Sequence, residues 1–277
     1  MRFFDNHTHT NFSPDSPITI KEAVEAALAR NLAGVALTDH YDIDPALGEM
    51  EFNFNPDVQQ AEIDKISFEY GLGSKERDLQ LLKGIEVGLM PGKFMQTIKE
   101  FTGKYHFDTV IASLHTIDGT DPYRRTYYKG RDAWQAYSNA LELMYKLCVE
   151  FKDFDILGHY DYVARYSPYS EQERDITYKR YGDYIDAIFK YLVENGKTFE
   201  INTKTYTNHA GYIPKLDLDI LRRFKELGGE ALSIGSDAHG CDRLGDNFEL
   251  YSQIIKECGF KYLVYYKNRK PNYYTIK

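Results

Sequence analysis

Near its start the chain carries Asn6-His7-Thr8-His9-Thr10, and in an extended segment residues two apart share a face, so both imidazoles can bind one ion. Leu37-Thr38-Asp39-His40 ends an apolar run with a carboxylate beside an imidazole. That pair offers a metal ligand plus a partner to orient it, or an ordinary helix cap at Asp39. Gly84-Ile85-Glu86-Val87 sets a carboxylate inside an apolar run, where an unpaired charge is costly. A bridging metal ion offsets that cost, and so would a basic partner. Ser113-Leu114-His115 and Leu157-Gly158-His159 each deliver a histidine from an apolar run, and Ser236-Asp237-Ala238-His239 places Asp and His two apart. The chemistry common to these residue types is ligation of divalent metals, with hydrolysis as its usual use. Asp15, in Phe12-Ser13-Pro14-Asp15-Ser16, reads by itself as a turn residue, and Cys241 as a small apolar filler.

Something must bring these scattered side chains together. Short apolar runs alternate with longer segments of 3.6-residue period along the whole chain, the signature of α/β structure with parallel strands. The expected strands are 3–6, 34–38, 80–87, 109–114, 154–158, 198–202 and 232–235, with a further one at 262–266. Thr19-Ile20-Lys21-Glu22 has capping-box spacing and opens an amphipathic helix over 23–32, with Gly34 as its terminator. Other helices are expected near 58–70, 94–103, 131–150, 171–195, 217–227 and 247–257. The ligand-type residues fall at the C-terminal ends of the strands. In a closed parallel barrel those ends converge on one rim, so residues remote in sequence become neighbours. Six of the 8 histidines lie there, whereas His106 and His209 do not.

The 277 residues show no repeat and no linker-like shift in composition, so one domain over 1–277 is expected. Hydrophobic residues at 43% and charged residues at 27% are an ordinary globular balance, and 24 Tyr are the one excess. A formal charge of -8 gives no global support for nucleic acid as a partner. No stretch approaches the length of apolar sequence needed to span a bilayer, so neither a membrane nor an export signal is expected, and the expected location is the cytoplasm. The 3 cysteines (Cys148, Cys241 and Cys258) are odd in number and widely spaced, which indicates neither a disulfide framework nor a thiolate zinc site.

Taken in order, these motifs resemble the polymerase and histidinol phosphatase (PHP) superfamily of metal-dependent phosphoesterases, along essentially the whole chain. Within it, the segment Ser113 to Gly119, Gly158-His159-Tyr160-Asp161 and Glu200-Ile201-Asn202-Thr203 are similar to the monofunctional histidinol-phosphate phosphatases. The resemblance implies a distorted seven-stranded β/α barrel holding three divalent transition-metal ions. It places His7, His9, Glu86 and Asp237 on the first ion, with Glu86 bridging to a second ion also held by His115 and His159. Asp15, His40 and His239 would hold the third. Mixed imidazole and carboxylate ligands suit zinc, manganese or iron. Arg165 matches an Arg that follows the Gly-His motif in these enzymes, and its planar fork suits a phosphate, so Glu86, Asp237 and Arg165 are the expected catalytic residues. The relatives often carry a second Arg after Glu-Ile-Asn-Thr, where this chain has Lys204-Thr205-Tyr206-Thr207-Asn208.

The expected reaction is hydrolysis of L-histidinol phosphate to L-histidinol and phosphate, a step of histidine biosynthesis. The alternatives are a PHP phosphoesterase acting on another small phosphomonoester or a nucleic acid end, and a metal-binding module without turnover. A complete ligand set argues against the last, and the acidic balance against nucleic acid.

Overall fold

The structure, a computed structural model, describes residues 1–43 and 52–277. Seven strands form a parallel sheet in the order β1 (Phe4–Thr8), β2 (Gly34–Leu37), β4 (Gln80–Gly88), β5 (Thr109–Ser113), β6 (Ile156–Leu157), β7 (Thr198–Asn202) and β8 (Leu232–Gly235). A two-residue piece, β3 (His40–Tyr41), resumes the β2 direction and pairs His40 with Glu86 of β4. The ends of the sheet meet just above β1 and β8. There Asp237 N donates to His7 O at 2.8 Å and His9 N to Ala238 O at 3.0 Å. The result is a nearly closed barrel with its strand C-termini on one rim, the expected α/β architecture.

Helices cover the outer face. They are α1 (Ile20–Ala29), α2 (Pro56–Tyr70), α3 (Lys93–Lys104), α4 (Ala133–Phe151), a short α5 (Tyr162–Arg165), α6 (Tyr178–Glu194), α7 (Leu218–Glu226) and α8 (Phe248–Glu257). The capping box of α1 forms as its spacing predicts, with Glu22 N donating to Thr19 Oγ1 and Thr19 N to the Glu22 carboxylate. Gly34 is not its terminator. The helix ends at Ala29, Asn31 takes the left-handed turn at φ 54°, and Gly34 opens β2 against the Phe4 ring, where a Cβ would lie 2.1 Å from it. Helix α6 starts at Tyr178, seven residues later than the periodicity suggests, because its first turn begins after Thr177.

The expected last strand is real but does not join the barrel. β9 (Tyr262–Lys267) and β10 (Lys270–Thr275) form an antiparallel hairpin. Val264 and Tyr266 of the hairpin pack with Ile111 and Ile156, and Tyr265 stacks on Phe4 at 4.3 Å between ring centroids. Ile111 lies on the same face of β5 as Ser113 but two residues below it, so the hairpin plugs the end of the barrel opposite the rim.

Candidate metal centre

Glu86 sits at the middle of the rim. It is fully buried, on the face of β4 that looks into the barrel, and imidazoles from five positions surround its carboxylate. Oε2 lies 3.2 Å from His7 Nε2, 3.5 Å from His9 Nε2 and 3.0 Å from His40 Nδ1. Oε1 lies 3.2 Å from His115 Nε2 and 2.8 Å from His159 Nε2, and also accepts from Ser113 Oγ at 2.6 Å. No Lys or Arg of the described residues pairs with Glu86, so the basic partner that the sequence left open is absent there.

The remaining ligand-type residues adjoin this group. Asp237 Oδ1 is 3.4 Å from His9 Nε2, and His239 Nε2 is 3.1 Å from Asp15 Oδ2. Asp15 does occupy a turn, closed by Ser16 N on Ser13 O, yet the turn carries its carboxylate to His239 and to within 3.7 Å of His40 Nε2. All nine of these residues therefore meet in one cluster, although the order of β1 through β8 separates them widely in sequence. Asp237 follows β8 at φ 50°, in the left-handed region that Asp tolerates better than most residues. His106 lies at the far end, facing Asn268 in the hairpin turn, and His209 bonds Lys204 O outside the cluster.

Burial and neighbouring charge pull the titratable groups of the site in opposite directions. Burial disfavours charge on His7, but Glu86 and Glu200 raise its pKa well above the usual histidine range. The same opposition, with Glu86 and Asp42, raises His40 to about 10 and His115 well above its ordinary value. His9 goes the other way. Burial and the neighbouring His40 and His239 hold it well below normal, and burial lowers His159. Burial opposes charge on Glu86 too, yet the histidines keep it well below the carboxylate range.

Four buried atoms at the centre, His7 Nε2, His9 Nε2, His40 Nδ1 and Glu86 Oε2, make no hydrogen bond. Potential ligand atoms converge in four triplets: His7, His9 and Glu86; His40, Glu86 and His115; His9, His40 and His239; and His7, His159 and Asp237. Within each triplet they lie within 4.8 Å of one another. Buried polar atoms left without partners are rare, and nitrogen and oxygen donors in this arrangement fit divalent transition metals. None of the four triplets includes a cysteine.

Several working residues escaped the sequence reading. Glu200 Oε1 lies 2.8 Å from His7 Nδ1, and Asp42 Oδ1 lies 2.9 Å from His115 Nδ1, so each fixes the ring and tautomer of a ligand-type histidine. Glu200 had the signal that singled out Glu86, a carboxylate inside an apolar strand. Gly235 makes room for it, since a Cβ there would sit 2.4 Å from Glu200 Oε1 and 2.5 Å from His7 Cβ. Asp39 caps no helix. It accepts from Thr10 N, Thr10 Oγ1, Ser13 Oγ and Gln59 Nε2, pinning the loop that follows β1.

Arg165 is a buried residue, 2% exposed. From α5 it donates to Thr205 Oγ1, Asp237 Oδ2 and Asn202 Oδ1, at 2.8, 3.0 and 2.9 Å. Lys204 Nζ reaches Asp237 Oδ1 at 3.0 Å. Burial opposes charge on Asp237, but these two cations hold its carboxyl well below the usual range. Arg165 and Lys204 line a cavity of about 540 Å³ with Asp15, His40, Glu86, His115, His159, Asp237 and His239, the size of a small-molecule site. Arg243, by contrast, pairs with Asp246 and is not among the lining residues.

The description "PHP domain" matches residues 5–204. The chain is 35% identical to a protein named "Probable histidinol-phosphatase" from Clostridium acetobutylicum, covering 98% of this chain and 99% of the relative. It is 29% identical to the "Histidinol-phosphatase" of Lactococcus lactis subsp. lactis, over 98% of this chain and 96% of that protein. A crystal structure of histidinol phosphate phosphatase from the same bacterium, complexed with zinc, L-histidinol and phosphate, superposes with a TM-score of 0.86 at 27% identity, covering 98% of this chain and 99% of the other. With that match and these full-length likenesses, the chain belongs to the PHP domain family.

Proposed function

We infer that the protein is a metal-dependent phosphomonoesterase that hydrolyses L-histidinol phosphate to L-histidinol and phosphate, a cytoplasmic step of histidine biosynthesis. The observation that carries this reading is the cavity itself, in which seven of the nine ligand-type side chains, with His7 and His9 buried against Glu86, share the wall with the basic residues Arg124, Arg165 and Lys204, the last two paired with Asp237. The Lactococcus structure, with zinc, L-histidinol and phosphate bound, supports the choice of substrate.

Three divalent ions are the proposed complement: one on His7, His9, Glu86 and Asp237, one on Glu86, His115 and His159, and one on Asp15, His40 and His239. When bound, such ions supply positive charge to a phosphoryl group and acidify water toward neutral pH. The chain's own residues do the rest. Glu86 contributes the carboxylate shared by two ions, while Glu200 and Asp42 hold the rings of His7 and His115 in one orientation. Arg165 spends three of its five N–H groups on Thr205, Asp237 and Asn202, which leaves two for the oxygens of a phosphate dianion. Lys204 adds a point charge beside Asp237. Among the described residues no helix is long and apolar enough to cross a membrane.

The test is phosphate release from a substrate panel by purified protein loaded with zinc, manganese or iron. L-histidinol phosphate should exceed p-nitrophenyl phosphate, a sugar phosphate and a nucleoside monophosphate in kcat/KM by about tenfold or more, because remote groups of the right substrate assist the reacting centre. A flat profile, or preference for another ester, overturns the assignment.

A further inference from the structure

We propose that Asp121 binds the ammonium group of the substrate, which makes it the residue that selects for an amino alcohol phosphate; the assignment rests on the L-histidinol phosphate reading above. Five carboxylates line the cavity, and four of them are already matched. Asp15 faces His239 and His40, Asp42 faces His115 and His40, Glu86 has its ring of imidazoles, and Asp237 pairs with Arg165 and Lys204. Asp121 forms no ion pair with any described residue. It is 9% exposed, and its Oδ1 accepts from Tyr123 N at 2.8 Å and from the Tyr162 hydroxyl at 3.0 Å, while its Oδ2 accepts no hydrogen bond from the described residues.

A mostly buried carboxylate held in place at one oxygen, lining the cavity and without a paired cation, is suited to receive one from a ligand. Burial raises its pKa, and the donors from Tyr123 and Tyr162 and the nearby His115 work against that rise. An incoming ammonium would offset the same burial cost and would find the Tyr162 and Tyr123 rings beside it, a combination that favours cations. The other remote group of the substrate, the imidazole, has no such need of an anion. Phe52, Tyr123 and Tyr166 offer it aromatic faces in the same cavity.

Asp121→Asn keeps an oxygen for both donors, so the local fold is retained while the charge is lost. Wild type and variant are compared, with metals loaded, on L-histidinol phosphate and on its des-amino analogue, imidazolylpropyl phosphate. Wild type should prefer the amino substrate. The variant should lose about ten- to a hundredfold in kcat/KM on that substrate, mostly through KM, while changing less than about twofold on the analogue. Asp121→Glu, which restores the charge on a longer stem, should recover part of the loss. Equal losses on both substrates, or no loss on either, would overturn the assignment. A wild-type enzyme that hydrolyses neither substrate would instead overturn the functional reading beneath it.

Discussion

Glu200 holds two histidines of the rim at once: its Oε1 lies 2.8 Å from His7 Nδ1, and its Oε2 accepts the backbone N–H of His159 at 2.8 Å. One carboxylate on β7 thus ties β1 to the end of β6, across the barrel's interior. Glu200→Gln keeps the size of the group but loses the charge that holds the His7 proton on Nδ1 and leaves Nε2 free to ligate an ion. Loss of such a partner costs about 10–100-fold in metal affinity or activity. Gly235→Ala should do similar harm without altering any polar group, because its methyl would occupy the space Glu200 uses. Metal stoichiometry and kcat/KM read both effects, and wild-type values for both variants would remove Glu200 from the site.

Glu86→Gln tests the centre itself. Five imidazoles close around this carboxylate, and two proposed ions share it, so the amide should reduce metal content and lower kcat/KM by about a hundredfold or more. Circular dichroism should still report a folded chain, since Gln fits the volume. His106→Gln, at the opposite end beside Asn268, should stay within about twofold of wild type. Similar losses in the two variants would contradict the placement of the chemistry at the rim.

The rim was legible because a parallel barrel converts one local rule into a global one. His7, His40, Glu86, His115, His159 and Asp237 each mark the end or inner face of an apolar run, and closure of the sheet then makes them neighbours. What stayed hidden depended on contacts that no local pattern encodes. Asp42 follows the rim residue His40 by two positions, and nothing in that spacing says that it turns to His115 of another strand. Lys204 and Arg165 meet on Asp237 only because α5 and the segment after β7 face each other. A short apolar run located β9, but such a run fits a barrel strand and a plug alike, and only its antiparallel partner β10 decides between them.

High pH should unfold the protein through its buried tyrosines. Burial raises Tyr181 and Tyr266 to about 12, from an ordinary value of 10.0. Their hydroxyls are committed inside, Tyr181 to Ala133 O and Tyr266 to Thr198 Oγ1. A folded-state pKa above the unfolded one favours the folded state fully below pH 10. That stability is lost as pH rises from about 10 to about 12, where only the unfolded chain releases the protons. Phenolate absorbance from Tyr181 and Tyr266 should accordingly rise only together with loss of the circular dichroism signal. Complete phenolate titration near pH 10 with the fold intact would show that burial does not protect these groups.

Arg165 is where a phosphate contact and a scaffold role have to be separated. Its three hydrogen bonds hold Asp237, Asn202 and Thr205 together, so Arg165→Ala leaves acceptors from β7, the following loop and the β8 end without their shared donor. Breaking one side of a buried pair commonly costs about 3–5 kcal/mol of stability, and the melting temperature should fall. If its two remaining N–H groups also meet the phosphate, the same variant should lose about 1.5–3 kcal/mol of transition-state stabilisation, roughly ten- to a hundredfold in kcat/KM. Arg165→Lys restores the charge but not the planar fork, so it should fall between wild type and Ala. Metal content must be followed in both, because Arg165 bonds Asp237, one of the proposed ligands. The deciding measurement is competitive inhibition by inorganic phosphate in variants that retain their metals. A phosphate contact predicts weaker inhibition in Ala than in Lys, and weaker in Lys than in wild type. A lower melting temperature with unchanged phosphate inhibition would leave Arg165 as scaffold alone, and would pass the phosphate contact to Lys204.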